Sequence, residues 1–325
     1  MGYSVVDLFC GGGGFSLGFE ESGFDVKLAL DFDWYALETF SHNFPGVFTV
    51  LKDIRSVHAE DLSRILGGRP DVVIGSPPCE PYSSANFNRR PDPPDRLYVD
   101  EVGLLVLHFI RLVGDLEPKV FVLENVPQLM SGELRWMLEW EFARVGYDSL
   151  WFNVLRAQDY GTPSTRVRLF ISNIPLRPKR VFGVRRVVDA FSGLPSPYVS
   201  GDYPNHIPSP LSPKRLKKVA KLRYGHSLFS FAGSKGRFYK NWIRLHPYRL
   251  APTVLGSSRF IHPFEHRLLT VREQARLMGF PDAHIFYGDL GSQYNQVGEA
   301  VPPPLSKAIA ISVREYLDKG EEVII

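Results

Sequence analysis

The sequence predicts an α/β fold: a Rossmann-like, mostly parallel sheet flanked by helices, with a smaller domain inserted into it. Three observations lead to this prediction. Short apolar runs typical of buried strands alternate with segments of helical spacing. The first apolar run leads into four consecutive glycines, and residues 177–265 are rich in proline and lack long helical periodicity. A chain of 325 residues can form one large domain and a smaller one.

The first predicted strand, Tyr3 to Phe9, leads into the turn CGGGG and a helix from about Phe15 to Ser22. This order of strand, glycine-rich turn and helix brings backbone close to a nucleotide-like ligand. The dinucleotide fingerprint GxGxxG is not met, because its third glycine, counted from Gly11 and Gly13, falls on Ser16. The turn therefore fits an adenosine cofactor better than a pyrophosphate. The alternative is a turn that is only flexible.

The second predicted strand, Asp25 to Leu30, ends at Asp31 and Phe32. An acid at this strand tip can bind the hydroxyls of a ribose, and the neighbouring aromatic ring can cover an adenine. A helix from Trp34 to about Phe40 and a short strand follow. Asp53, which comes after that strand, could accept a hydrogen bond from the exocyclic amine of adenine. Taken singly, such acids are more often helix caps or turn residues.

The next strand, Asp71 to Ile74, ends in Gly-Ser-Pro-Pro and places Cys79 on a loop at its carboxyl end. Ligands bind at that end of a parallel sheet. Cys79 is therefore a candidate nucleophile, although a lone cysteine near a strand is usually inert packing.

The segment PYSSANFNRRPDPPDRLYVD after Cys79 has no periodic pattern. Loops this long in compact domains are usually functional or mobile. It contains Arg89, Arg90 and Arg96, so we expect a lid that closes over a phosphate backbone. A disordered surface loop is the alternative.

Helical spacing returns from about Gly103 to Leu116, and the strand Val120 to Leu123 ends at Glu124. A carboxylate thus follows a second strand tip. After a helix from about Glu133 to Val145 and a strand near 148–155, the segment YGTPSTRVRLFIS contributes Arg166 and Arg168. Alternation on a strand predicts that both guanidinium groups lie on one face.

The formal charge of +3 is unevenly distributed. Residues 177–265 contain 17 Lys and Arg against three acids, a net +14, so the rest of the chain carries −11. The same segment has 13 aromatic residues. Phosphates need cations and bases need planar partners, so this composition predicts a separate module of short strands and loops that contacts nucleic acid. The alternative is a basic face that is solvated or lies against the acidic body.

The composition argues against several other classes. No apolar run reaches the roughly 18 residues of a membrane span, and the first residues lack a signal-peptide pattern. Cys10 and Cys79 are too few for a disulfide framework, and the nine histidines show no zinc-site spacing. We therefore expect a protein inside the cell, with no membrane contact and no metal.

In their order along the chain, these motifs resemble those of the cytosine-5 DNA methyltransferases. The segments that carry the resemblance are DLFCGGGGFSLGFE, GSPPCEPYSS, ENV, TRVRLF, RLLTVREQARLMGFPD from Arg267 and QVGEAVPPPLSKAIA from Gln296. The basic module lies where that family inserts its target recognition domain. The resemblance implies a fold typical of S-adenosylmethionine-dependent methyltransferases, with residues 1–176 and 266–325 as the catalytic and cofactor-binding domain and residues 177–265 as the recognition domain.

The resemblance also implies a mechanism. Carbon 5 of cytosine is a poor nucleophile, so a thiolate first adds to carbon 6, and the resulting enamine takes the methyl group of S-adenosylmethionine. Cys79 matches the position of this thiolate. Glu124 matches the acid that binds the ring nitrogen and amine, and Arg168 the residue that binds the carbonyl oxygen, with Arg166 in support. The target base must be flipped out of its duplex.

Further site residues follow from the matching motif positions and from the basic segments. The expected cofactor residues are Phe9, Gly11, Gly13, Asp31, Phe32, Asp53, Ile54, Pro78, Leu105, Glu299 and Val301. The expected nucleic-acid contacts are Ser83, Arg89, Arg90, Arg96, Lys235, Arg237, Tyr239, Lys240 and Arg259. A final helix, from about Pro304 to Leu317, is expected to return beside the first strand.

Three positions depart from the family pattern. Glu80 and Ser164 replace glutamines, and Glu299 replaces the asparagine of the GNxV motif. A carboxylate beside a thiolate raises its pKa unless an arginine pairs with it. We hypothesise that an arginine of the lid or the recognition module neutralises Glu80 when DNA is bound. A Glu80→Gln variant that binds and methylates DNA like the parent would remove the reason for this hypothesis.

Two other functions stay open. A transfer-RNA cytosine-5 methyltransferase can share this catalytic body, although its usual Cys-Phe-Thr tripeptide is missing from residues 177–265. A non-catalytic DNA-binding relative is the second, and the intact Cys79, Glu124 and Arg168 argue against it. We expect a monomeric, cytoplasmic enzyme of a prokaryotic restriction-modification system, acting on double-stranded DNA with or without a separate endonuclease. Its target sequence is not readable from the residues alone.

Overall fold

A computed structural model describes residues 2–199, 203–232 and 238–320 of the chain. Seven strands form its main sheet: β1 (Ser4–Leu8), β2 (Asp25–Asp31), β3 (Phe48–Leu51), β4 (Val72–Gly75), β5 (Val120–Asn125), β6 (Trp151–Arg156) and β7 (Val167–Ser172). Their order across the sheet is β3-β2-β1-β4-β5-β7-β6. Within the described ranges, β7 runs in the opposite direction to the other six strands of this sheet. The predicted α/β fold with a mostly parallel sheet is therefore confirmed.

Helices cover both faces of this sheet and extend beyond it. They are α1 (Gly14–Glu20), α2 (Trp34–Asn43), α3 (Ala59–Leu66), α4 (Pro93–Tyr98), α5 (Leu105–Leu116), α6 (Leu134–Arg144), α7 (Val187–Phe191), α8 (Pro213–Ala220), α9 (Val271–Met278), α10 (Leu290–Glu299) and α11 (Pro303–Asp318). None of the helices in the described ranges is both long and apolar enough to span a membrane.

The two faces of the sheet bury separate apolar clusters, as the alternation of side chains along a strand requires. In β1, Val6 and Leu8 face a cluster that contains α5 and α6, whereas Val5 faces α1, α2 and α11. The final helix therefore packs in the same apolar cluster as Val5 of β1, the strand beside which it was expected. Its direct contact is with α1, where Ser306 Oγ donates a 2.5 Å hydrogen bond to the carbonyl of Phe15.

The segment after Cys79 differs from the predicted irregular lid because it contains α4. Two prolines, Pro93 and Pro94, begin this helix. Proline suits the first turn of a helix, where its missing N–H would have no intrahelical partner. The proline-rich run indicated a loop by composition but marks a helix start.

The basic segment contains α7, α8 and a second sheet of β8 (Ser227–Ala232), β9 (Phe238–Arg244) and β10 (Phe260–Ile261). Its core is shared with the last third of the chain, since Leu245 and Phe260 pack in one cluster with Leu269 and Ala275. The predicted boundary between residues 265 and 266 therefore does not divide the core. Apolar side chains of α9 and α10 belong to the same cluster, and the division of the chain into a catalytic and a recognition domain stays a prediction.

Candidate active site

The topology of the sheet fixes the position of the site. Ligands of open α/β sheets bind outside the carboxyl ends of the strands, where the strand order reverses direction. Here the reversal lies between β1 and β4. A cavity of about 450 Å³ opens at this point. The predicted site residues that line it are Phe9, Gly11, Asp31, Phe32, Pro78, Cys79, Ser83, Glu124, Arg166, Arg168, Glu299 and Val301.

One end of the cavity is formed by the glycine-rich turn and the tip of β2. Gly13 adopts a left-handed φ of 86°, and a Cβ there would lie 2.3 Å from the ring of Phe44, so only glycine fits. The N–H of Gly11 donates to Asp31 Oδ2 at 2.8 Å. Phe32 follows with 70% of its surface exposed. This end therefore offers backbone, a carboxylate and a free aromatic face.

Asp7, a buried acid in β1, binds the helix α1 that follows the glycine-rich turn. Ser16 Oγ of α1 donates a 2.6 Å hydrogen bond to Asp7 Oδ2, and neither residue is exposed. Burial raises the pKa of Asp7 to about 8. Asp7 is therefore protonated at neutral pH, and the interior next to the turn carries no charge from it.

Four predicted cofactor residues do not line the cavity. Asp53 is bound by the guanidinium of Arg55, with Nη2 at 2.6 Å, which lowers the pKa of its carboxyl. Ile54 packs in the core that contains α5, and Leu105, the first residue of α5, is partly buried against the same core. Gly13 lies behind the turn, against Phe44. Their assignment to the cofactor stays a prediction from the resemblance alone.

Cys79 lies at the other end of the cavity. It is half-buried, on a loop that several hydrogen bonds hold in place. Asn125 Nδ2 at the tip of β5 donates to the carbonyl of Pro77 at 2.9 Å. The N–H groups of Tyr82 and Ser83 donate to the carbonyl of Cys79 at 3.1 and 3.0 Å. These bonds fix the sulfur beside the tip of β5.

Burial raises the pKa of the Cys79 thiol to about 11. Arg168 lowers this pKa, whereas the carboxylates of Glu80 and Glu124 raise it further. The thiol of the DNA-free protein is therefore protonated at neutral pH, and addition to a base requires it to lose a proton.

Glu124 and Arg168 form a buried ion pair in which Arg168 Nε lies 2.9 Å from Glu124 Oε1. Burial raises the pKa of Glu124, and Arg168 opposes this shift. Strand direction brings the two residues together. Because β7 is antiparallel to β5, its first residues lie at the edge where β5 ends.

Arg166 reaches the cavity differently from Arg168. It precedes β7 and is fully buried, and its guanidinium donates to the carbonyls of Val254, Gly298 and Glu299 at 3.1, 2.8 and 3.2 Å. Both arginines line the cavity, as predicted, but they have different partners. Arg166 joins three chain segments, whereas Arg168 faces the carboxyl group of Glu124.

Several predicted nucleic-acid contacts are placed elsewhere by the structure. Arg96 is buried and donates to the carbonyls of Arg90 and Pro91, so it is not free to reach a phosphate. Arg259 is also buried and donates to the carbonyl of Lys240 at 2.5 Å. These two predictions are corrected, since both guanidinium groups already satisfy backbone acceptors.

The other predicted contacts are exposed, lie next to the cavity or fall outside the described residues. Arg90 and Lys240 are exposed, Arg89 is half-buried and donates to the carbonyl of Tyr82, and Tyr239 shares a 3.1 Å hydrogen bond with Ser84. Lys235 and Arg237 lie outside the described residues.

Three residues that the structure brings to the site, Asn125, Gln296 and Phe231, were not predicted from the sequence. Asn125 and Gln296 lie inside the quoted motifs ENV and QVGEAV, so the motifs contained their signal. Phe231 of β8 lines the cavity, and its ring is stacked on Tyr239 with centroids 5.5 Å apart. No pattern in the sequence indicates that contact. Exposed cations of α8 are visible in the run PKRLKKVAKLR.

In the part of the chain that the structure describes, no group of three or more His, Cys, Asp or Glu residues could hold a metal ion. The site presents a thiol, carboxyl groups and guanidinium groups at one end, and backbone, a carboxyl group and the exposed ring of Phe32 at the other.

This combination of fold and site defines a class, the Rossmann-like S-adenosylmethionine-dependent methyltransferases. The chain matches the C-5 cytosine-specific DNA methylase family over residues 3–186 and 199–315, and it belongs to that family. It is a DNA cytosine-5 methyltransferase, and the family implies S-adenosylmethionine as the methyl donor.

Individual relatives agree with this membership. A putative type II methyltransferase of Methanocaldococcus jannaschii, M.MJ0563P, is 43% identical over 97% of this chain and 100% of its own length. The type II methyltransferase M.DdeI of Desulfomicrobium norvegicum is 31% identical over 97% of this chain and 89% of its own. Among solved structures, a putative DNA modification methyltransferase encoded within an E. coli prophage superposes with a TM-score of 0.79 at 25% identity, covering 97% of this chain and 99% of that one.

Proposed function

We propose that this enzyme methylates carbon 5 of a cytosine flipped out of a specific double-stranded DNA sequence, through a transient covalent bond from Cys79. The observation that carries the proposal is the meeting of Cys79, Glu124 and Arg168 in one cavity, with the nucleoside cradle at its other end. The relatives named type II methyltransferases support a place in a restriction-modification system.

The cavity fits S-adenosylmethionine by size and by its donors and acceptors. Its volume lies within the range of small-molecule sites. The buried Oε1 of Gln296, which lines the cavity, has no hydrogen-bond partner among the described residues. Asp31 would bind the ribose and Phe32 would cover the adenine, beside the backbone of Gly11. When bound, S-adenosylmethionine supplies the methyl group at the Cys79 end.

Each catalytic residue has a defined task at the cytosine. The Cys79 thiol loses its proton as its sulfur bonds to carbon 6, and the electrons of the 5,6 double bond move toward carbon 5. Glu124 holds the ring nitrogen and gives it a proton or a hydrogen bond, which is favoured because burial raises the pKa of this acid. Arg168 orients Glu124 and donates to the cytosine carbonyl oxygen. Carbon 5 then bonds to the methyl group as the bond from that methyl to the sulfonium sulfur breaks, which leaves a neutral thioether. A base or water removes the proton from carbon 5, the electrons of that C–H bond re-form the 5,6 double bond, and the Cys79 sulfur departs with the electrons of its bond to carbon 6.

The burial of Glu124 supports base flipping. Only 6% of its side-chain surface is accessible, and it lies inside the cavity. A cytosine stacked in a duplex cannot reach it, so the base must leave the stack, which costs a few kcal/mol. We assign target recognition to residues 177–265 and closure over the DNA to the segment after Cys79.

The direct test is methyl transfer from tritiated S-adenosylmethionine. Separate reactions contain plasmid DNA or transfer RNA, and tritium in the recovered nucleic acid is counted. We expect label in DNA at 5-methylcytosine and none in transfer RNA. Label confined to transfer RNA would support the alternative enzyme. No label in either, with intact cofactor binding, would support a non-catalytic relative. Sequencing the modified plasmid cytosines identifies the target.

A further inference from the structure

The cavity is lined by more acidic side chains than cationic ones. Five carboxylates line it, those of Asp31, Asp33, Glu80, Glu124 and Glu299, against only two cations, Arg166 and Arg168. Three of the five have backbone or cationic partners. Asp31 and Asp33 accept backbone N–H groups, and Glu124 pairs with Arg168. Within the described ranges, neither Glu80 nor Glu299 forms an ion pair with a cation.

Glu299 is fixed at the cavity wall by its backbone. A Cβ on the preceding Gly298 would lie 2.1 Å from the carbonyl carbon of Leu255, so only glycine permits this close approach. Arg166 then holds the carbonyls of Gly298 and Glu299 at 2.8 and 3.2 Å. The Glu299 carboxylate is thus presented to the cavity by a rigid support.

The Glu299 carboxyl group lines the cavity together with residues from both of its ends. Protein groups surround the Glu299 side chain on several sides. It is nevertheless exposed to solvent, because one side of it faces the cavity that it lines. Desolvation raises the pKa of Glu299, as do Glu80 next to Cys79 and Asp31 at the other end, while a hydrogen bond with Asn295 and the charge of Arg166 lower it. Groups from both ends therefore act on this one side chain.

A second observation indicates a ligand at the same wall. Gln296, one turn earlier in α10, is buried, and its Oε1 has no hydrogen-bond partner among the described residues. This oxygen lies 3.3 Å from the point that a Cβ on Gly12 would occupy, which places it at the glycine-rich turn. A buried acceptor without a donor is costly unless a ligand supplies one.

We infer that Glu299, assisted by Glu80, makes the cavity select the sulfonium cofactor over its thioether product. This inference rests on the proposed function. S-adenosylmethionine and S-adenosylhomocysteine differ by one methyl group and one positive charge. A carboxylate without a cation, in a partly desolvated cavity, attracts the charged sulfonium and gains little from the neutral sulfur. Methyl transfer removes that charge, so the same residue promotes release of the product.

Isothermal titration calorimetry of both ligands against the DNA-free protein tests this inference. We compare the parent with Glu299→Gln and Glu80→Gln, using Glu60→Gln on the exposed surface of α3 as the matched control. The quantity measured is the ratio of the S-adenosylhomocysteine Kd to the S-adenosylmethionine Kd. We expect Glu299→Gln to lower this ratio about fivefold, mainly by weakening S-adenosylmethionine binding. Glu80→Gln should lower it less, and Glu60→Gln should leave it unchanged.

The pH dependence of the parent gives a second readout that needs no variant. The ratio should rise from pH 6 to pH 8 as Glu299 ionises in the presence of Glu80, Asp31 and Arg166, and this rise should disappear in Glu299→Gln. A ratio within twofold of the parent in both cavity variants, or a parent ratio that does not change with pH, overturns the inference. If neither ligand binds the parent, the proposed function itself fails.

Discussion

The proposed mechanism requires a thiolate at Cys79, and the surroundings of this residue oppose the thiolate form. Burial raises its pKa to about 11, and Glu80 and Glu124 contribute in the same direction. A resting thiolate would be open to oxidation and alkylation, because the thiolate is the reactive form of cysteine. The DNA-free enzyme therefore keeps its nucleophile protonated, and we expect activation when the base and its hydrogen bonds reach Glu124.

This reasoning predicts the reactivity of the free thiol. Alkylation of Cys79 by iodoacetamide should accelerate up to about pH 11, with a thiolate fraction at pH 8 on the order of 100-fold below that of an unperturbed cysteine. Glu80→Gln should speed alkylation at pH 8 severalfold, because one carboxylate that raises the pKa is removed. Mass spectrometry of the Cys79 peptide separates it from buried Cys10. A rate that levels off between pH 8 and 9 would contradict this prediction.

Among the secondary-structure elements, the strand tips could be predicted from the sequence, but the contacts of the side chains beyond them could not. Apolar runs ended by Gly, Pro or Asp identify β1, β2, β4 and β5, and parallel strands bring their carboxyl ends to one edge. Arg168 reaches Glu124 because β7 is antiparallel to β5, and alternation within one strand does not reveal its partner.

Helix α8 gives the basic segment a face that suits DNA phosphates. Lys214, Lys217 and Lys218 are exposed, and none forms an ion pair with a residue that the structure describes. Val219 packs in one cluster with Leu228 of β8, which is three residues, or about 10 Å, from the cavity-lining Phe231. The helix therefore lies where it can contact the backbone flanking a flipped base.

Replacing these three lysines by glutamine should weaken binding of double-stranded DNA similarly for all sequences. The slope of log K against log salt should become shallower by about 2.7, since each phosphate contact contributes about 0.9. Fluorescence anisotropy at several salt concentrations measures this slope. The control is a Lys27, Arg64 and Arg135 triple glutamine variant, which removes the same charge from cations paired on the catalytic body. Equal slopes for the two triple variants would contradict the assignment of α8.

At the scale of the whole molecule, Arg166, which precedes β7, connects this strand to the part of the cavity wall formed by Gly298 and Glu299. Arg166→Met removes the donor from three carbonyls and should lower the free energy of unfolding by about 3 kcal/mol. Arg168→Met should cost less stability, because Glu124 can take up a proton, yet it should reduce methyl transfer at least 100-fold, a loss on the order of one oxyanion-hole donor. Urea denaturation and the tritium assay measure the two effects. An unfolding free energy as low for Arg168→Met as for Arg166→Met would contradict the division of roles.

Where tertiary contacts decide the role of a side chain, that role could not be predicted from the sequence. Arg96 and Arg259 belong to basic segments, but burial against backbone carbonyls takes their charge out of reach. Phe231 enters the cavity only because β8 and β9 fold beside it. The sequence did predict Cys79, Glu124 and Asp31, since each directly follows or ends a recognisable strand.

The central claim is that the sulfur of Cys79 bonds to the target cytosine. The most direct measurement uses duplex DNA that contains 5-fluorocytosine at the target, because fluorine at carbon 5 cannot be removed as a proton and the adduct persists. After incubation with S-adenosylmethionine, mass spectrometry of the digested complex should place the nucleotide on Cys79. Absence of any adduct with a duplex that the enzyme binds, or an adduct on Cys10, would contradict the claim.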